Sequence, residues 1–171
     1  MAIERAPCRS QDFDVASTLI RRGKAEDADE IASLLKKAFI EYEPLYTKEG
    51  YASTTPEVAT ILCRMQEGPL WVAHLEDEIV ATAAAVTRDT GLYIRGMAVL
   101  PTARGHNLGR LLLEQAARFA TSKGCSRLFL STTPFLSRAI RLYKGFGFQF
   151  TSEGPHDLFG TPLLTMEKVL R

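Results

Sequence analysis

Chemistry is suggested most strongly by the stretch from Met97 to Arg110, where an apolar segment leads into a short basic loop and then an amphipathic segment. A helix that begins here exposes free backbone N–H groups and a partial positive charge, which suit a phosphate or pyrophosphate. Gly105 and Gly109 would let the backbone approach such a ligand, and Arg104 and Arg110 would add charge-assisted contacts. The loop has neither the G-x-x-x-x-G-K-S/T nor the G-x-G-x-x-G pattern. Alone, it fits an anion site and also an ordinary turn.

A second segment, Ala139 to Phe148, places Tyr143 near the end of a predicted helix that turns sharply into a strand. A phenol in this position could donate a proton to a leaving group. It could equally pack the helix against a sheet without taking part in any reaction. Both interpretations of Tyr143 stay open at this point.

Together the two segments resemble the GNAT superfamily of N-acetyltransferases. The acyl-CoA motif of that family, Q/R-x-x-G-x-G/A, is matched from Arg104 to Gly109 at its first and last defined positions, with Asn107 where the first glycine is expected. The family signature A-x-x-L-Y-x-x-x-G-F is matched at Ala139, Leu142, Tyr143, Gly147 and Phe148. The resemblance is strongest over residues 93–148 and extends, by element order, over about 18–169.

The resemblance implies an α/β fold of the α+β type: a strongly twisted mixed β-sheet of about six to seven strands, flanked by about four helices. It implies acetyl-CoA as co-substrate, held where the central strands splay apart. The pantetheine would pair with the strand containing Met97, Ala98 and Val99. The pyrophosphate would lie against the backbone of Arg104, Gly105, His106, Asn107, Leu108, Gly109 and Arg110. Because asparagine tolerates a positive φ, Asn107 is compatible with that role.

The implied reaction is acetyl transfer to a primary amine, on a small molecule or a peptide, by direct attack within a ternary complex. A backbone N–H near Val99 would stabilise the oxyanion, and Tyr143 would protonate the departing thiolate. Glu41 is the candidate base, although most exposed acids serve only solvation. Candidate acceptor-binding residues are Tyr42, Tyr46 and His156.

Two functions other than acetyl transfer are also compatible with parts of the sequence. A non-catalytic acyl-CoA-binding regulatory module of the same fold is one, and the asparagine at position 107 leaves it open. A hydrolase triad of Ser131, His156 and Asp157 is the other, and it is disfavoured because no G-x-S-x-G elbow surrounds Ser131.

Hydrophobic periodicity predicts the elements that must position these residues. The first helix has an apolar face from Ile31 to Tyr42, and Pro44 should stop it. The second helix has an apolar face from Val58 to Met65, and Thr55 should be its N-cap. A polar, aromatic loop over 43–55 would join these helices. The other predicted elements are strands over 15–21, 70–75, 79–87, 92–100, 127–132, 146–151 and 163–168, helices over 108–123 and 134–143, and a loop over 153–162.

Length and composition bound the remaining possibilities. The 171 residues correspond to about one domain, and we expect a flexible tail over 1–14 followed by a single domain over 15–171. The chain has 21 basic and 20 acidic residues, and this near-neutral net charge argues against a dedicated nucleic-acid binder.

Cysteine usage and hydropathy suggest a compartment. Cys8, Cys63 and Cys125 are too far apart for a zinc pattern and odd in number, so we expect free thiols and no metal. No apolar run reaches the roughly 20 residues that a membrane span needs, and the first residues lack a secretory core. These features predict a cytoplasmic protein without a membrane partner. The family resemblance adds homodimer formation as an option.

Overall fold

A seven-stranded sheet organises the computed structural model, which describes residues 18–171. The predicted tail over 1–14 lies outside the described residues. In chain order the strands are β1 (Thr18–Arg22), β2 (Leu70–Leu75), β3 (Glu78–Arg88), β4 (Gly91–Val99), β5 (Arg127–Thr132), β6 (Gln149–Thr151), β7 (Asp157–Leu158), β8 (Thr161–Pro162) and β9 (Leu164–Val169). The large sheet has the order β1-β2-β3-β4-β5-β9-β6, and β7 and β8 form a separate hairpin.

Within residues 18–171 the chain forms five α-helices: α1 (Ala28–Phe39), α2 (Lys48–Thr54), α3 (Val58–Glu67), α4 (Leu108–Ser122) and α5 (Ser137–Phe146). The predicted mixed α/β fold with a mixed sheet of six to seven strands is confirmed. One helix more than expected is present, because α2 forms inside the predicted loop. No helix in the described part of the chain is long and apolar enough to cross a membrane.

The core lies on both faces of the central strands. Residues Ile79 to Ala85 of β3 are buried without a break. Since successive side chains of a strand point to opposite faces, helices must cover the sheet on both sides. Helices α1 and α4 each pack against β3 and β4. This arrangement holds β4 rigidly at the centre of the molecule.

The predicted meander β2-β3-β4 is confirmed, with two-residue turns at its bends. Glu76 and Asp89 occupy these turns with φ of 54° and 50°, the left-handed region that tight hairpin turns require. Helix α4 ends as predicted, with Gly124 at φ of 70° just beyond Lys123.

The loop predicted over 43–55 is instead largely helical. The first helix continues past α1 as a 3-10 helix, Ile40–Leu45, which contains Pro44, and α2 follows. The sequence Lys-Glu-Gly-Tyr-Ala-Ser-Thr has weak helix propensity. Distant residues hold its start: the N–H of Thr47 donates to Oγ1 of Thr161 at 2.9 Å, and the Thr47 hydroxyl donates to the carbonyl of Phe159 at 2.8 Å. Tertiary contacts therefore decide this segment.

Thr55 does not cap the second helix, so that prediction was wrong. Helix α3 begins at Val58 with Glu57 as its N-cap residue. The Thr55 hydroxyl instead donates to the carbonyl of Tyr51 at 2.9 Å and closes the preceding helix α2. Because a residue before a proline is pushed away from helical backbone angles, Thr55 lies outside α2, which ends at Thr54.

Boundaries near the C-terminus also differ from expectation. Helix α5 runs on to Phe146, and Gly147 ends it at φ of 102°, so β6 begins only at Gln149. The predicted loop over 153–162 contains the hairpin β7-β8, whose turn at Phe159 and Gly160 has positive φ at both residues.

Candidate active site

The central cleft opens where two parallel strands diverge. Strands β4 and β5 pair only from Gly91 to Ile94 and from Arg127 to Leu130. Beyond that point β4 stays bonded to β3, and β5 to β9. The facing edges of β4 and β5 are thereby left without a strand between them. A cavity of about 770 Å³ occupies this gap and reaches to the N-terminus of α4.

A bulge in β4 shapes the floor of the cleft. Thr82 pairs with Ala98 and Ala84 pairs with Arg95, so β4 carries one more residue than β3 between these pairs. Gly96 lies within the bulge at φ of 57°, which glycine adopts without strain. The bulge re-aims the following residues, including Met97, into the cleft that they line.

The backbone of Val99 faces the cleft. The N–H of Leu100 donates to the carbonyl of Val80 at 2.8 Å, toward β3. Since adjacent N–H groups of a strand point to opposite edges, the N–H of Val99 points to the splayed edge. A donor is therefore available where the sequence analysis expected oxyanion stabilisation.

The start of α4 forms the second wall of the cleft. Asn107 precedes the helix in the left-handed conformation, φ 62° and ψ 12°, and Gly105 has φ of 88°. The first helical hydrogen bond runs from the N–H of Leu111 to the carbonyl of Asn107 at 3.1 Å. The N–H groups of Leu108, Gly109 and Arg110 therefore precede the helical ladder. Helix ends with free N–H groups of this kind suit anions, which is the geometry that the predicted pyrophosphate site needs.

Gly109 has a packing role as well. A Cβ atom there would lie 2.6 Å from Cδ2 of Leu142 and 3.4 Å from Cε of Met97. The missing side chain lets α4 approach α5 closely beside β4. The two sequence motifs therefore meet in space at this glycine.

Tyr143 is buried at the bottom of the cleft, with 7% of its surface exposed. Its hydroxyl donates to Sδ of Met97 at 4.0 Å, a weak hydrogen bond. Burial raises the pKa of Tyr143 well above its ordinary value, and the neighbouring Tyr46 and Tyr93 add to this effect. The phenol is therefore held protonated, as a proton donor must be.

Aromatic side chains surround the opposite part of the cleft. Tyr46 packs edge-on against Phe135 with ring centroids 4.9 Å apart, and Tyr42 stacks on the same ring at 6.4 Å. Burial raises the pKa of Tyr46, an effect that hydrogen bonding to Thr133 and Thr54 partly offsets. Both candidate acceptor residues, Tyr42 and Tyr46, line the cleft.

Three other predicted residues lie elsewhere. Glu41 is exposed and ion-paired with Arg104, which itself lines the cleft. His156 is exposed in the C-terminal loop, and its carbonyl accepts the N–H of Leu163 at 2.9 Å. His106 is half-buried in the loop before α4. None of these three side chains lines the cavity, and their predicted roles stay predictions.

Several cleft residues were missed by the sequence analysis: Arg64, Arg88, Tyr93, Arg95 and Arg138. Arg64 belongs to an amphipathic helix, where a basic residue is typical of a solvated face. Arg95 carried a usable signal, since a charge inside an otherwise apolar strand is unusual.

The comparison with protein families decides the classification. The model of the acetyltransferase (GNAT) family matches residues 29–148. The chain belongs to the GNAT family. The match spans both the α4 motif and the Tyr143 segment, which the fold brings together at Gly109.

Individual proteins of the GNAT family support this assignment. An uncharacterised N-acetyltransferase, YjgM, of Escherichia coli K12 is 30% identical over 141 residues, covering 78% of this chain and 83% of that protein. The thialysine N-epsilon-acetyltransferase of Bos taurus is 28% identical over 154 residues, covering 81% and 88%. Among solved structures, the PaiA N-acetyltransferase of Thermoplasma acidophilum in complex with coenzyme A superposes with a TM-score of 0.78 at 16% identity, covering 90% of this chain and 99% of that one.

The described GNAT domain offers no evident metal centre. No group of three or more His, Cys, Asp or Glu side chains within residues 18–171 is arranged to hold a metal ion.

Proposed function

We propose that this protein transfers an acetyl group from acetyl-CoA to a primary amine by direct attack in a ternary complex. One observation carries the proposal: the anion-binding start of α4 and the buried phenol of Tyr143 open into the same cleft, on either side of Met97. The proposed acetyl-CoA site and the proposed proton donor are therefore adjacent. The relatives named as N-acetyltransferases support the same reaction type.

The residues present fit acetyl-CoA. The unpaired edge of β4, at Met97, Ala98 and Val99, suits the amide groups of a pantetheine. The free N–H groups at the start of α4 suit the pyrophosphate, and Arg104 and Arg110 supply positive charge beside them. A side chain at Gly105 would meet no atom within 4 Å, so this position leaves open space for a ligand.

Acetyl-CoA supplies the thioester whose carbonyl carbon accepts the amine. The N–H of Val99 would stabilise the negative charge that develops on the carbonyl oxygen, an effect worth about 3–4 kcal/mol for one well-placed donor. The hydroxyl of Tyr143 would protonate the leaving sulfur. Burial raises the pKa of Tyr143, and it would also favour a neutral CoA thiol over a thiolate. The pKa values of the proton donor and of the proton acceptor therefore rise together.

The acceptor amine would enter beside Tyr42 and Tyr46, in the part of the cleft away from α4. The aromatic rings there offer an apolar wall that excludes water from the reacting nitrogen. Glu41 as base and His156 as acceptor contact are retained as candidates to be tested. Homodimer formation and a cytoplasmic location belong to the same proposal.

A regulatory module that binds acyl-CoA without turnover is the second candidate. The asparagine at position 107, in place of a motif glycine, favours it, whereas the retained Tyr143 favours the enzyme. The experiment is release of free CoA thiol from acetyl-CoA across a panel of primary amines, with acetyl-CoA affinity measured by calorimetry. Amine-dependent release establishes the transferase. Tight acetyl-CoA binding with no release above the amine-free rate would overturn it in favour of the module.

A further inference from the structure

Arginine is the one charged residue type among the described residues that line the cleft. Arg104 and Arg110 lie at the α4 end, where the proposed function places the phosphates. Arg64 and Arg95 lie near the bulge in β4, away from that end. The phosphate-binding role therefore leaves these two cations unexplained, together with Arg88 and Arg138 in the same lining.

The guanidinium of Arg64 lies over Gly96. A Cβ atom built at Gly96 would be 3.1 Å from Nη1 of Arg64, so the glycine both forms the bulge and makes room for the arginine. The sulfur of Met97, the next residue, accepts a hydrogen bond from the hydroxyl of Tyr143. Arg64, Met97 and Tyr143 line the same cavity, so the guanidinium faces the cleft that holds the proposed transfer centre.

Charges near Arg64 are not balanced. Arg95 forms an ion pair with Glu67, yet its Nε is buried and has no partner within the described residues. Arg64 is half-buried and takes part in no hydrogen bond or ion pair within residues 18–171. Two guanidinium groups therefore share one carboxylate. Burial lowers the pKa of Arg64, and repulsion from Arg95 lowers it further.

An anion bound between these arginines would relieve this imbalance. The planar fork of a guanidinium matches a carboxylate, which can accept two parallel hydrogen bonds. Because Arg64 lines the same cavity as Met97 and Tyr143, one small molecule can carry both the anion and the reacting amine. The wall formed by Tyr42 and Tyr46 leaves room for an apolar side chain.

We propose that Arg64, supported by Arg95, binds the carboxylate of the acceptor, and that the acceptor is a free amino acid or a similarly short amino carboxylic acid. This inference rests on the proposed function, since it specifies the substrate of the same site. Arg64 is then a specificity-determining residue that contacts substrate.

The experiment compares matched acceptors with the wild-type protein. Each amino acid of a panel is assayed beside its carboxamide and its methyl ester, which keep the amine and side chain and lose the negative charge. We expect kcat/KM for the best amino acid to exceed that of its amide and ester by about 10- to 100-fold, the loss of a charge-assisted contact. Equal rates for acid, amide and ester would overturn the inference while leaving the transferase proposal intact.

A variant series assigns the effect to Arg64. Arg64→Gln should abolish the preference for the free acid, and Arg64→Lys should restore part of it, because a lysine keeps the charge and loses the fork. Arg141→Gln is the matched control, since Arg141 is exposed on α5 and does not line the cleft. Circular dichroism and acetyl-CoA affinity verify that each variant is folded. Retained preference in folded Arg64→Gln would contradict the assignment.

Direct binding provides a readout independent of turnover. The des-amino analogue of the best amino acid keeps the carboxylate but cannot be acetylated. Calorimetry in the presence of CoA should detect its binding to the wild type and show a loss of about tenfold or more with Arg64→Gln. Absence of any amine-dependent CoA release would refute the proposed function itself, whereas release without acid preference refutes only the carboxylate site.

Discussion

The hydroxyl of Tyr143 lies 4.0 Å from Sδ of Met97, so a residue of the second sequence motif touches the strand that precedes the first. Met97 also lies next to Gly109, where α4 and α5 come closest. The proposed donor site and the proposed acid are thereby coupled through one methionine. Because the ring of Tyr143 packs against Phe148 and only its hydroxyl reaches Met97, removing that hydroxyl should affect the chemical step with little effect on acetyl-CoA binding.

Substitution Tyr143→Phe removes the hydroxyl and keeps the packing of the ring against Phe148. Loss of a general acid should lower kcat by about 10²- to 10⁴-fold, with the KM for acetyl-CoA nearly unchanged. Steady-state kinetics of CoA release provide the measurement. Tyr51→Phe is the matched control, because Tyr51 does not line the cleft. An unchanged kcat in Tyr143→Phe would leave the ring with a packing role only.

The pH dependence follows from the raised pKa of Tyr143. A phenol normally ionises near pH 10, and burial moves this transition upward, so the acid stays protonated throughout the neutral and mildly alkaline range. We expect kcat to rise with pH as the acceptor amine deprotonates and to show no falling limb below about pH 10. Rate measurements from pH 6 to 10 test this. A falling limb within that range, absent from Tyr143→Phe, would contradict the raised pKa.

The substitution Glu41→Gln distinguishes two roles for Glu41. If Glu41 is the general base, its loss should lower kcat, and more so as the pH falls. If Glu41 serves only as the ion-pair partner of Arg104, its loss should change the KM for acetyl-CoA. Since Glu41 is exposed and points to Arg104, we expect a change of a few-fold in KM for acetyl-CoA and an unchanged kcat. Glu43→Gln controls for loss of a nearby exposed charge. A large fall in kcat with constant KM would assign Glu41 as the base.

Asn107 occupies the left-handed region at φ of 62° before α4. Replacement by alanine should reduce the free energy of unfolding by about 1 kcal/mol, because this backbone conformation strains ordinary L residues. The same change should weaken acetyl-CoA binding, since the loop orients the N–H groups at the helix start. Asn107→Gly is the control and should keep both properties. Chemical denaturation and calorimetry measure them, and identical values for Asn107→Ala and the wild type would refute the strain argument.

Asp27 links β1 to the start of α1. Its carboxylate accepts hydrogen bonds from Arg21 at 2.7 and 2.9 Å and from the N–H of Lys24 at 2.7 Å. The bond from Arg21 is the main cause of the lowered pKa of Asp27. A lowered folded-state pKa stabilises the fold above the ordinary pKa of about 4, and this contribution is lost as the pH falls through the folded value.

We therefore expect Asp27→Asn to lower the free energy of unfolding by about 1–3 kcal/mol at pH 7. The difference from the wild type should shrink as the pH falls below about 4. Urea unfolding at several pH values provides the measurement, with Glu26→Gln as an exposed control. A difference that does not depend on pH would contradict the ionic contribution.

Local signals were sufficient for much of the fold. The apolar runs of the meander, the helical face of α4 and the helix-ending glycine at position 124 depend on neighbouring residues alone, and each appears where it was expected. The same holds for the start of α4, because a glycine-bearing basic loop before an amphipathic segment dictates its own backbone geometry. The candidate anion-binding loop and the position of Tyr143 near a helix end were therefore readable from the chain, whereas their assignment to acetyl-CoA and to proton transfer came from the family resemblance.

The acceptor side of the cleft was decided only by the tertiary structure. Helix α2 has little propensity of its own and depends on contacts of Thr47 with Phe159 and Thr161, more than 100 positions away. Arg64 becomes a cleft residue only because a bulge at Gly96 leaves room for its guanidinium. Such long-range pairings leave no local periodicity. Local sequence thus determined the backbone geometry at the start of α4, where the proposed acetyl-CoA site lies, and packing between distant segments determined which charges line the rest of the cleft.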